Sequence, residues 1–136
     1  MKIHIGKEDC KFYINKEKKV TVCVINIVNN RHIQFAAHDF LAELEYDGIK
    51  IWPQIKSKLL TSYVGIAKCS PQDEWNEEIG RKIAFARAKI AFYKDFFRAF
   101  REYIIRINDA ARRADEVYTI IFDKIYSNVE KIVDKI

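Results

Sequence analysis

The residues best placed to do chemistry are basic and aromatic. Between Arg81 and Arg113 the chain carries ten bases against three acids (Asp95, Glu102 and Asp109). Arg87, Lys94 and Arg101 recur every seven residues, which on a helix places them in one stripe. Arg112 and Arg113 are adjacent, so their side chains leave a helix about 100° apart and could grip one anion from two sides. A guanidinium forks onto phosphate or carboxylate oxygens, and nearby rings can stack on bases. Phe92, Phe96, Tyr103 and Tyr118 are spaced to supply such rings. The expected ligand-binding set is therefore Arg87, Lys94, Arg101, Arg112, Arg113, Phe92 and Tyr118. The competing reading is that bases beside an apolar seam keep a helix solvated and set the register of its partner.

Signatures of other chemistries are missing from the sequence. It has no P-loop, GxGxxG, GxSxG or HExxH pattern. His4, His32 and His38 are scattered, without metal-ligand or general-base spacing. Cys10, Cys23 and Cys69 are odd in number and lack CxxC spacing, which argues against a disulfide framework or zinc site. Ser70 and Cys69 have no neighbouring His to activate them. The expectation is a binding protein with no catalytic residues, no metal and no cofactor. No apolar run approaches the ~20 residues needed to span a bilayer. The first nine residues are charged where a signal peptide would be apolar, so the protein is expected in the cytoplasm of the cell that makes it.

The chain is 136 residues long with a net charge of +5, which suits one domain. It has four Gly and two Pro, and the last of either is Gly80. That predicts an α+β protein. Residues 1–69 would form a small antiparallel β-rich head, and residues 70–136 a helical part serving oligomerisation and ligand binding. Lys11–Asn15 and Val20–Val28 read as a hairpin joined by Lys16–Lys19. The second strand is apolar on both faces, as for a strand covered on both sides. Ala37, Phe40, Leu41 and Leu44 have helical spacing and run toward an Asp47-Gly48 turn. Leu59–Lys68 reads as another strand, with Gly65 marking a bulge or a close backbone approach. Ser70, Pro71 and Asp73 have the pattern of a helix cap, which predicts a helix starting there.

Beyond that start, Ile79, Ile83, Ala86, Ile90, Tyr93, Phe97, Phe100, Ile104 and Ile107 alternate spacings of four and three, a heptad seam. It continues through Ala111, Ala114, Tyr118, Ile121 and Ile125. Phe85, Phe92, Phe96 and Tyr103 form a second apolar face, which the reading assigns to another helix or subunit. Asn108-Asp109 is the one plausible turn, and the reading favours two helices over one long helix.

Three segments carry a resemblance: Phe12–Val20, Gly65–Trp75 and Gly80–Ala88. They resemble small proteins of Firmicute phages, and among these the Thoeris anti-defence sponges. Such proteins sequester cyclic ADP-ribose isomers made by TIR-domain enzymes, and some capture cyclic oligonucleotides. The resemblance implies a β-sheet head, C-terminal helices, and dimers assembling into a hexamer that holds ligands between protomers and releases them intact. Arg112 and Arg113 would correspond to the C-terminal arginines that hold ligand phosphates. The function expected is non-catalytic capture of a small anionic nucleotide by a homo-oligomer, dimer or hexamer, with no membrane partner. The alternative is a small phage regulator using the same basic band on nucleic-acid phosphates.

Overall fold

β-Branched and aromatic residues build the first two strands. In the computed structural model, which describes residues 3–45 and 50–135, β1 (Cys10–Asn15) pairs antiparallel with β2 (Val20–Asn26). Their tight connection is closed by the Asn15 side chain, which accepts from the Lys18 amide, and Lys19 takes a positive φ of 53°. β3 (Ser62–Lys68) pairs antiparallel on the other side of β2, giving the order β1-β2-β3. Leu59 to Thr61 lie outside this strand, so β3 starts later than the sequence suggests.

Two helices separate β2 from β3. α1 (Arg31–Ala42) is capped by Asn30, whose side chain accepts from the Ile33 amide, and it buries Ile33, Ala37 and Leu41. α2 (Trp52–Lys56) buries Trp52 and Ile55. The first part of the chain is therefore more than a sheet. The turn expected at Asp47-Gly48 lies outside the described residues.

α3 (Glu77–Asp134) is one uninterrupted helix of 58 residues. This corrects two expectations. Asn108-Asp109 makes no break: neither residue forbids helical backbone, and no Gly or Pro follows Gly80. The start also moves, from Pro71 to Glu77. Asn76 is the residue that caps α3, accepting from the Ile79 amide at 3.1 Å. Ser70–Asp73 instead closes a turn, in which the Asp73 amide bonds the Ser70 carbonyl. Lys19 Nζ holds that turn by donating to the Pro71 and Asp73 carbonyls. A Ser-Pro-x-Asp pattern serves a turn as readily as a helix, and the lysine selects the turn.

The chain divides into two compact units, Met1–Phe100 and Arg101–Ile136. In the first, one face of the sheet packs on the opening turns of α3. Thr21, Cys23 and Ile25 of β2 are fully buried there, with Tyr63 and Ala67 of β3. Small residues allow a close approach: Gly80, Ala84 and Ala88 line the contacting face of α3, and Gly65 faces Ala84 and Ala88. Further along, Phe92 and Phe96 fill the core beside Tyr63 and Phe40. The Tyr93 hydroxyl donates to the Ile3 carbonyl, tying the N-terminal segment to α3.

The other sheet face is open, against the expectation of a strand covered on both sides. Tyr13, Val64 and Ile66 are about half exposed, because α3 covers one side only. The two apolar faces of α3 also exchange their expected roles. The aromatic set (Phe92, Phe96) is the one buried in the head, while the seam residues Ile79, Ile83, Ile90 and Phe97 are exposed. A row of Gly and Ala can lie against a sheet at close range, and a row of Ile cannot.

Candidate anion-binding surface

Each unit holds part of the expected ligand set. In the first unit, Arg87 lies on the flank of α3 one residue before the buried Ala88. Its Nη1 donates to the Ile66 carbonyl of β3 at 2.6 Å, which fixes the guanidinium at the sheet edge. There it lines an open pocket of about 270 Å³ with Lys68, Cys69, Trp75, Asn76, Ile79 and Ile83. Trp75 supplies the aromatic surface, and its buried Nε1 has no hydrogen-bond partner among the described residues. Asp73 and Glu74 also line the pocket, so the site combines two cations with two carboxylates. An indole beside a guanidinium and an ammonium can receive a ring that bears an anionic group.

Phe92 is not available to such a ligand. Its ring is 0% exposed, edge-on to Tyr63 at 5.4 Å and packed by Tyr93 and Phe96. This corrects its expected role, because heptad spacing places a ring on a face without revealing which face meets the core. Lys94 is exposed on α3, with no carboxylate partner among the described residues.

Much of the remaining basic band is locally answered. Arg81 pairs with Glu77 and Lys82 with Glu78 at helical i,i+4 spacing, and Arg81 also lies over the Phe12 ring. Lys89 sits 4.5 Å from the Phe85 ring centroid. Arg98 meets Asp95 at 2.6 Å. That aspartate also accepts from the Tyr63 hydroxyl. Burial pushes the Asp95 carboxyl up, but the bonds from Tyr63, Arg98 and the Leu60 amide outweigh it and hold the group below the usual carboxylate range. Burial first, and then the Asp95 bond, raise the Tyr63 phenol. This cluster fastens α3 to the segment before β3.

In the second unit every charged candidate lies at the surface. Arg101 and Arg113 have no carboxylate partner among the described residues, while Arg112 approaches Asp109 at 3.6 Å. Tyr118 is exposed and stacks on Phe122, which stacks in turn on Tyr126, at centroid distances of 6.0 and 6.1 Å. Heptad spacing singled out Tyr118 in the sequence, but not the Phe122 and Tyr126 rings stacked beyond it. The Trp75 pocket was not legible either, since it needs β3, the turn after it and the start of α3 together.

Among the described residues no cluster of His, Cys, Asp or Glu could hold a metal ion, and no helix is long and apolar enough to cross a membrane. Comparison with protein-family models, curated proteins and solved structures gives no significant match to this chain.

Proposed function

We propose that this protein is a non-catalytic, homo-oligomeric binder that captures a small anionic nucleotide and releases it unchanged. The class of ligand is that implied by the sequence resemblance, cyclic ADP-ribose isomers or cyclic oligonucleotides. The observation that supports this reading is the Trp75 pocket. Its lining joins an indole, the Arg87 guanidinium and the Lys68 ammonium to Ile79 and Ile83, two exposed members of the heptad seam. A second copy covering the seam would close the pocket's apolar side and remove water from the cation–anion contact. Affinity would come from desolvated, charge-assisted hydrogen bonds and stacking in a largely formed site.

The test is titration of the full chain with glyco-cyclic ADP-ribose and with a cyclic dinucleotide, followed by heat denaturation and mass analysis of what is released. Saturable binding with intact ligand recovered is the expected result. Unbound ligand at every ratio, or a chemically altered one, overturns the proposal. A low-salt gel shift that grows with DNA length would replace it with the nucleic-acid reading.

A further inference from the structure

We infer that the Trp75 pocket continues into a polyanion cleft beside the β1–β2 turn, and that the two together take a linear nucleotide with a terminal di- or triphosphate. The ring half of this site rests on the Trp75 pocket of the proposed function. The phosphate half needs neither a second copy of the chain nor a cyclic ligand.

The first observation is where the cleft lies. Lys18, Lys19 and Lys68, with Glu17 and Pro71, line an open cleft of about 470 Å³. Lys68 and Cys69 line both this cleft and the Trp75 pocket, so the two cavities share a wall. At about 270 Å³ the Trp75 pocket alone falls short of the ~300–1,000 Å³ usual for ligand sites. Joined to the cleft, it comes within that range.

The second observation is how charge divides between the two cavities. The Trp75 pocket sets Lys68 and Arg87 against Asp73 and Glu74, which balance. Its carboxylates repel phosphate but accept well from sugar hydroxyls and ring amino groups. The cleft sets Lys18, Lys19 and Lys68 against Glu17 alone, a net +2. Lys18 and Lys68 are exposed, with no carboxylate partner among the described residues. A ligand therefore gains most with its ring in the pocket and its charge in the cleft. A terminal phosphate carries about two charges near pH 7 where an internal diester carries a single one, so the cleft favours a terminal phosphate chain.

The third observation is that the wall of the cleft is held in place by the backbone. Lys19 takes a positive φ of 53°, a conformation costly for a residue with a side chain. Its carbonyl accepts from the Cys69 amide at 2.9 Å, and its Nζ donates to the Pro71 and Asp73 carbonyls. These bonds tie the β1–β2 turn to the end of β3 and to the Ser70–Asp73 turn. An ammonium has three donors, which leaves Lys19 one for a ligand oxygen. A wall formed before the ligand arrives lowers the ordering cost of binding.

The experiment is calorimetric titration of the full chain at low salt with adenosine triphosphate, adenosine monophosphate and inorganic tripolyphosphate. It is repeated for Lys18→Ala and for Lys16→Ala. Both lysines are exposed on the same turn and both variants remove one charge, but only Lys18 lines the cleft. The triphosphate is expected to bind one per chain, about tenfold or more tighter than the monophosphate, and to be displaced by tripolyphosphate. Lys18→Ala should weaken triphosphate and tripolyphosphate about fivefold or more, and Lys16→Ala less than about twofold. No triphosphate binding into the millimolar range overturns the inference, as does a monophosphate that binds equally well. Equal losses in the two variants also overturn it, since they mean diffuse attraction to the turn. A bound triphosphate with glyco-cyclic ADP-ribose and the cyclic dinucleotide both unbound would keep the inference and sink capture of a cyclic nucleotide. Cyclic ligands bound without any triphosphate binding would do the reverse.

Discussion

Gly65 and Ala84 touch backbone to backbone: a Cβ built on Gly65 would collide with the Ala84 carbonyl oxygen and the Ala88 amide nitrogen. No side-chain motion can relieve such a contact, because both obstacles belong to the α3 main chain. Gly65→Ala must therefore push the helix off the sheet. The expected loss is about 3 kcal/mol or more, at the upper end of the overpacking range. Urea denaturation of the purified variant measures it, and an unchanged midpoint would refute the close contact.

Tyr63 and Asp95 join β3 to α3 with similar force. Asp95→Ala leaves the hydroxyl of the buried Tyr63 without its acceptor, at an expected cost of about 1–3 kcal/mol. Tyr63→Phe combined with Asp95→Ala should cost less than the two single losses added together. A double-mutant cycle gives that coupling directly.

Acid should unfold the first unit through two carboxylates. Asp9 resembles Asp95: burial pushes it up, but bonds from Asn30, the Gly6 amide and His32 outweigh burial and hold it below the usual range. A depressed folded value gives stability that is present above the unfolded carboxylate value and lost as pH falls through the folded one. The urea midpoint is thus expected to hold from pH 7 to about 5 and to fall below about 4. Asp95→Asn should flatten that fall, and an equal slope in the variant would remove Asp95 from the account.

Helix capping distinguishes the observed start of α3 from the one suggested by the sequence. Asn76→Ala removes the acceptor for the Ile79 amide and should cost about 1 kcal/mol. Ser70→Ala should cost less, since Ser70 closes a turn. Equal losses in thermal denaturation would contradict this assignment.

Phe92 and Arg87 separate core from ligand surface. Phe92→Ala empties a fully buried site and should cost about 3–5 kcal/mol. Phe92→Leu should keep nucleotide binding per folded molecule. Arg87→Ala, on an exposed helix flank, should change stability little beyond the lost Ile66 contact and weaken nucleotide binding at least tenfold, read by calorimetric titration. Binding lost in Phe92→Leu but kept in Arg87→Ala would relocate the site.

Periodicity and composition suffice for several features of this protein. Alternating β-branched residues in Val20–Asn26 specify a strand, and the absence of Gly and Pro after Gly80 specifies a helical C-terminal part with two apolar faces, though not that it runs unbroken through Asn108-Asp109. The stripe of Arg87, Lys94 and Arg101 follows from spacing alone. Local spacing could not say which face of α3 meets the sheet. That choice rests on Gly65 and Thr21 receiving Ala84, Ala88 and Gly80 at close range, a fit between residues far apart in the chain. The same contact buries Phe92 and leaves the isoleucine seam exposed. The true start of α3 depends on Lys19, some fifty residues upstream, holding the Ser70–Asp73 turn. Periodicity sorts side chains onto faces, and the closeness of packing between distant segments decides which face is the core.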